Sequence, residues 1–282
     1  MELSCIPVSY FEEIIKNKKS IFQWGVEAKE IGFDYIDLSV LFFQQFNEEY
    51  FVKIKDRLDR LNIRIAIINS YTDFTYPNAG KRKNELLKVQ DYIKASEILG
   101  AKYLRITAGQ AYPQTSINDG VKWAVEGFKK ASELSKGTSV ELVFENHSKP
   151  GIWDYPDFSF QTDNFLEIYK IIKDFQVKIL FDTANTLAYG DDPIKVLEKV
   201  SEDLACIHAA DIDSKGSFDP VVIGTGIVPF KEIFRRLKEV DFDGIISIEE
   251  ASNTGKNGIK IAERFIRNIW NKLVQVDKNN NY

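Results

Sequence analysis

Two cysteines and two histidines are all that the 282 residues contain of each. Cys5 and Cys206 stand far apart, each in an apolar run. No disulfide framework is indicated, and both read as small buried hydrophobes. No stretch approaches eighteen uninterrupted apolar residues, and Met1 to Ser20 show no charged start followed by an apolar run. Neither a membrane span nor a secretory leader is expected, and the cytoplasm is the default location. The net charge is −5 and Lys and Arg are scattered. With no basic run to grip phosphates, nucleic acid is not expected as a partner. There is also no Pro/Gly/Ser linker, no shift in composition, and no glycine-rich dinucleotide fingerprint after the first apolar run.

What is present is alternation. A hydrophobic fraction of 44% and a charged fraction of 28% suit a soluble globular chain long enough for a large core. Short β-branched or apolar runs alternate with longer amphipathic ones. Strands are predicted at Leu3–Val8, Tyr35–Ser39, Ile63–Asn69, Tyr103–Thr107, Val140–Glu145, Val177–Asp182, Leu204–His208 and Ile245–Glu249. Helices follow them at Ser20–Ile31, Glu48–Leu61, Lys81–Leu99, Ile117–Ser135, Thr162–Lys173, Pro193–Val200, Pro229–Val240 and Lys256–Val274. Gly32, Gly100 and Gly137 stop three of these helices. Eight strand–helix units imply a parallel sheet, and eight favour closure. The expected fold is a single-domain α/β protein, a (β/α)8 TIM barrel over residues 1–276. A polar C-terminal tail, 277–282, is expected to fray. The competing architecture is an open doubly wound sheet.

In such a barrel the active site lies at the C-terminal ends of the strands. Four consecutive strands end in Glu145, Asp182, His208 and either Glu249 or Glu250. These are oxygen and nitrogen ligands for a hard or borderline divalent ion. Adjacent strands lie about 4.8 Å apart, so their end residues can meet on one ion. Clustered carboxylates are costly without a cation. Glu145 and His147 share a strand face, whereas Glu249 and Glu250 point opposite ways, and parity alone does not choose between them. The bland alternative is that each charge merely marks where a strand meets solvent.

The segments Phe144-Glu145-Asn146-His147, Phe181-Asp182-Thr183-Ala184-Asn185-Thr186, Gly190-Asp191-Asp192-Pro193, His208-Ala209-Ala210-Asp211, Ile223-Gly224-Thr225-Gly226 and Gly244–Glu249 resemble, in order and spacing, the xylose isomerase-like TIM barrel superfamily. The narrower likeness is to its sugar phosphate isomerase/epimerase group. The resemblance implies that Glu145, Asp182, His208 and Glu249 ligate one divalent metal ion (Mn²⁺, Mg²⁺, Co²⁺ or Zn²⁺), and so selects Glu249 over Glu250. It implies that Glu145 and Glu249 are also the catalytic proton carriers. The implied substrate is a small carbohydrate, and the implied assembly is a homo-oligomer. The substrate-binding candidates are His147, Asn185, Asp211 and Lys215. Asn185 stands where ketose epimerases commonly place a histidine, and Lys215 is the cation nearest to where an arginine is often found. Asp211 has the alternative task of orienting His208 or a loop.

The segment Arg105–Gln110 is similar to the matching strand end of dehydroshikimate dehydratases. A lyase acting on an inosose or dehydroshikimate-like ring therefore stands beside the isomerase, with a non-catalytic binding barrel as the third reading. The apurinic endonuclease branch uses a histidine-rich multi-metal site, which two histidines cannot build. The aromatic segment Gly151–Phe160 is a candidate pocket wall or lid, or else a buried loop. Gly224-Thr225-Gly226 either presents backbone N–H groups to a phosphate or is a simple turn.

Overall fold

The computed structural model describes the backbone of residues 1–280 and the side chains of residues 1–273. Eight strands form one sheet: β1 (Glu2–Ile6), β2 (Tyr35–Ser39), β3 (Arg64–Asn69), β4 (Tyr103–Ile106), β5 (Glu141–Glu145), β6 (Lys178–Asp182), β7 (Leu204–Ala209) and β8 (Ile245–Glu249). The order is β1-β8-β7-β6-β5-β4-β3-β2 and every ladder is parallel. β1 and β2 lie against each other without a ladder, so the barrel is nearly closed. The helices are α1 (Phe11–Ile15), α2 (Ile21–Ile31), α3 (Glu48–Asp59), α4 (Ala79–Leu99), α5 (Ile117–Ser135), α6 (Thr162–Ile172), α7 (Asn185–Tyr189), α8 (Pro193–Val200), α9 (Phe230–Glu239) and α10 (Gly255–Asn280).

Local chemistry sets the helix ends. Ser20 and Gln23 form a reciprocal capping box at the start of α2. Gly32 ends that helix at φ 113°, a conformation that disfavours any residue with a Cβ. Asp192 caps α8 and Pro193 occupies its first turn, where a missing N–H costs nothing. The last helix continues to Asn280 instead of ending at Val274, so most of the expected frayed tail is helical. Residues 281–282 lie outside the described residues. Among the described residues, no helix is long and apolar enough to cross a membrane.

The barrel interior is layered. Tyr35, Ile67, Tyr103, Val143, Leu180, Cys206 and Ile245, one from each strand β2 to β8, pack together as an apolar plug. Strand side chains alternate faces, so the same inward face reappears two residues later. There the strands carry Asp37, Asn69, Arg105, Glu145, Asp182, His208 and Ser247, all buried. A polar layer thus sits on the plug, toward the C-terminal mouth. The outer faces of the strands pack against the helices in the main core, which includes Trp24, Phe128, Phe165 and Phe234.

Candidate active site

The polar layer, with Glu249 one inward position further along β8, brings together the four strand-end residues. Ligand atoms of Glu145, Asp182, His208 and Glu249 all lie within 4.8 Å of one another. The register explains this, because Asp182 pairs with His208 and Ala209 with Ile248 across β6, β7 and β8. His208 Nδ1 is 2.7 Å from Glu145 Oε1 and 2.9 Å from Glu249 Oε2. Asp182 Oδ1 accepts the backbone N–H groups of Ala184 (2.9 Å) and Asn185 (2.6 Å), which aims the carboxylate at the mouth. Glu250 turns away, as parity requires. It accepts from Ser252 N at 3.0 Å and from the Ser9 hydroxyl, and is fully buried behind the strand.

The electrostatics are those of a cluster short of positive charge. Three carboxylates share the site with one guanidinium and one imidazole. Burial raises the Asp182 carboxyl well above its ordinary value, and the charges of Glu249 and Glu145 push the same way. For Glu145 burial also pushes upward, but the neighbouring His208 and Arg105 outweigh it and hold the carboxyl below the usual range. For His208 burial pulls down, yet Glu145 and Glu249 outweigh it and the imidazole holds its proton well above the ordinary value. His208 Nδ1 stands between the two glutamates, where a cation would be favoured. Oxygen, nitrogen and carboxylate donors at this separation fit one divalent ion.

Two charged residues of the polar layer, Arg105 and Asp37, are missing from the sequence-based site candidates. Arg105 Nη1 donates to Glu145 Oε2 at 2.6 Å and Nη2 to the Ser70 carbonyl at 2.7 Å, and its guanidinium lies over the Tyr71 ring. Asp37 is fully buried, and burial pushes its carboxyl up to about 6. Both had a legible signal. A charged residue in the middle of an otherwise apolar parallel strand has no solvent to reach and needs a partner inside.

The structure distributes the four substrate-binding candidates unevenly. His147 lines a pocket of about 370 Å³ together with Asn69, Tyr71, Arg105, His208 and Glu249. Its Nδ1 is 3.4 Å from the buried Asp157. Asn185 opens α7 and is buried, with its Oδ1 unpartnered. Asp211 is spent on the backbone. Its Oδ2 accepts from Gly224 and Gly226 at 2.9 Å each, and its Oδ1 from Ile212 (3.0 Å) and Val228 (3.1 Å). The loop-holding alternative describes this residue, and those two glycine N–H groups are not free for a phosphate. Lys215 is exposed in the turn after β7, and Phe218 of that segment lines the pocket in its place.

The outer pocket wall is apolar, with Val8, Phe11, Leu41, Ile152 and Phe218. Ile152 belongs to the aromatic segment after β5, which does lie over the site. Gln110 pins it by accepting from Asp154 N (3.0 Å) and Tyr155 N (3.1 Å), and Phe158 N donates to the Gly109 carbonyl at 2.7 Å.

The family model described as xylose isomerase-like TIM barrel matches residues 26–269. The chain belongs to that family. L-ribulose-5-phosphate 3-epimerase UlaE of Escherichia coli K12 is 23% identical over 273 residues, covering 89% of each chain. Inosose dehydratase of Clostridium beijerinckii is 23% identical over 226 residues, 70% of this chain and 72% of its own. Among solved structures, the IolI protein with a bound zinc atom superposes with a TM-score of 0.79 at 16% identity, covering 96% of this chain and 99% of that one. The probable 3-DHS dehydratase AsbF from Bacillus anthracis gives 0.75 at 18%, with 95% and 99% covered. Epimerases and dehydratases of the family thus share this barrel.

Proposed function

We propose that the protein is a divalent-metal-dependent isomerase or epimerase of a small hydroxy-carbonyl carbohydrate. The observation that carries this is the convergence of Glu145, Asp182, His208 and Glu249 at the base of a pocket that Glu249 itself lines. Those four residues would hold the ion. When bound, the ion supplies a Lewis acid that makes the C–H beside a carbonyl acidic. Glu249 then takes the proton, since its side chain remains 21% exposed and reaches the pocket. Glu145, held anionic beside Arg105, is the second proton carrier in the epimerase reading. The relatives support the carbohydrate class, and the IolI zinc supports the ion.

A dehydratase is the second reading, and one observation favours it. Of the two glutamates only Glu249 lines the pocket, while His147 and Arg105 line it as well. One base plus a proton donor for a departing hydroxyl suffices for elimination of water, whereas epimerisation needs proton transfer on both faces. The inosose dehydratase relative supports it too.

Incubation of the metal-loaded protein with a panel of ketoses and inososes in D₂O tests both. Deuterium at the carbon beside the carbonyl, lost in Glu249→Gln, is the expected result for the isomerase. A product lighter by one water turns the assignment to the dehydratase. Neither exchange nor turnover across the panel contradicts both.

A further inference from the structure

Asp37 has an unusual place for a carboxylate. It sits in the middle of β2, all five residues of which are buried, in the same interior layer as the site. Ser247 Oγ donates to its Oδ2 at 2.5 Å, and that oxygen lies 3.9 Å from His208 Nε2. Three buried polar atoms in this corner have no hydrogen-bond partner: Asp37 Oδ1, His208 Nε2 and Ser4 Oγ. The register puts them side by side, since Ser4 pairs with Ser247 and Ser247 with His208 across β1, β8 and β7.

An imidazole that gives one nitrogen's lone pair to a metal carries its proton on the other. Here Nδ1 faces Glu145 and Glu249, so Nε2 must carry the hydrogen, and a buried N–H without an acceptor is costly. We infer that Asp37 is the positioning residue for His208: its carboxylate serves as the acceptor facing Nε2–H, fixing the tautomer and ring orientation that leave Nδ1 free for the metal. Carboxylate partners of this kind orient ligating histidines. Ser247 holds the Asp37 carboxylate in turn. This inference rests on the metal site proposed above.

Two histidines make the test direct. Protein labelled with ¹⁵N-histidine is loaded with Zn²⁺, and long-range ¹H–¹⁵N spectra report each ring's protonation; His147→Gln assigns the remaining ring to His208. The expected result is zinc on Nδ1 and the proton on Nε2 of His208. Asp37→Leu should weaken zinc binding roughly 10–100-fold and release the fixed tautomer. Asp37→Asn, which keeps an oxygen acceptor, should restore the tautomer. Should the leucine variant not fold, the unaltered protein and the asparagine variant still decide. Zinc bound with the proton on Nδ1 overturns the inference alone. So does a leucine variant with unchanged tautomer and zinc affinity. A protein that takes up no zinc overturns the inference and the metal site together.

Discussion

Asp182 and His208 carry the plainest pH signature in the protein. Both hold protons above their ordinary values in the metal-free site, Asp182 through burial and repulsion from Glu249 and Glu145, His208 through attraction to Glu145 and Glu249 against burial. A metal must displace those protons, so its affinity rises with pH and falls as the medium acidifies. Calorimetry of Mn²⁺ binding in buffers of different ionisation enthalpy should detect proton release. Binding without release would contradict the site's electrostatics. Arg105 offers a second test. Arg105→Leu removes the partner of a fully buried carboxylate, and breaking such a pair costs about 3–5 kcal/mol, read as a lower denaturation midpoint of the metal-free protein. With the guanidinium gone, the Glu145 carboxyl rises. At this scale the four-residue cluster was legible because Glu, Asp, His and Glu close successive apolar runs. Asp37 and Arg105 were harder to read, because their partners, Ser247 and Glu145, lie far away in sequence and only the barrel brings them near.

The loop after β7 depends on one carboxylate. Four backbone N–H groups converge on Asp211, from Ile212, Gly224, Gly226 and Val228. Asp211→Ala leaves buried donors unpaired, each costing about 1–3 kcal/mol. The variant should lose thermal stability and show faster amide hydrogen exchange across residues 212–228, while metal content is retained. Unchanged exchange there would refute the clasp. A Cβ at Gly226 would lie 2.2 Å from the Ile212 carbonyl, so this turn tolerates no side chain. Sequence placed Asp211 at a strand end but could not say that its carboxylate folds back on its own loop. Two five-residue helices, α1 and α7, were also absent from the periodicity, since five residues barely complete one helical turn. The long elements read better. The bounds of α5, α8 and β8 agree with the sequence pattern because caps and strand parity fix them locally.

On the scale of the whole molecule, the alternation of eight strands and helices was enough to indicate the barrel, and closure follows from strand count. What alternation could not supply was depth. The apolar plug of Tyr103, Val143, Leu180 and Cys206 and the polar layer two residues above it emerge only once the register aligns the strands. The resulting site would link the whole barrel to a bound ion. Glu145, Asp182, His208 and Glu249 come from four strands, so an ion bound to all four stabilises only the folded state. At 100 times the dissociation constant that linkage contributes about 2.7 kcal/mol, a rise in Tm of roughly 5–10 °C. The metal content of gently purified protein, measured by elemental analysis beside its Asp182→Ala and His208→Ala variants, tests the proposed metal site itself. About one divalent ion per chain, lost in both variants, is the expected result. Protein that holds no ion after soaking in Mn²⁺, or variants that keep it, would rule out Glu145, Asp182, His208 and Glu249 as the ligands.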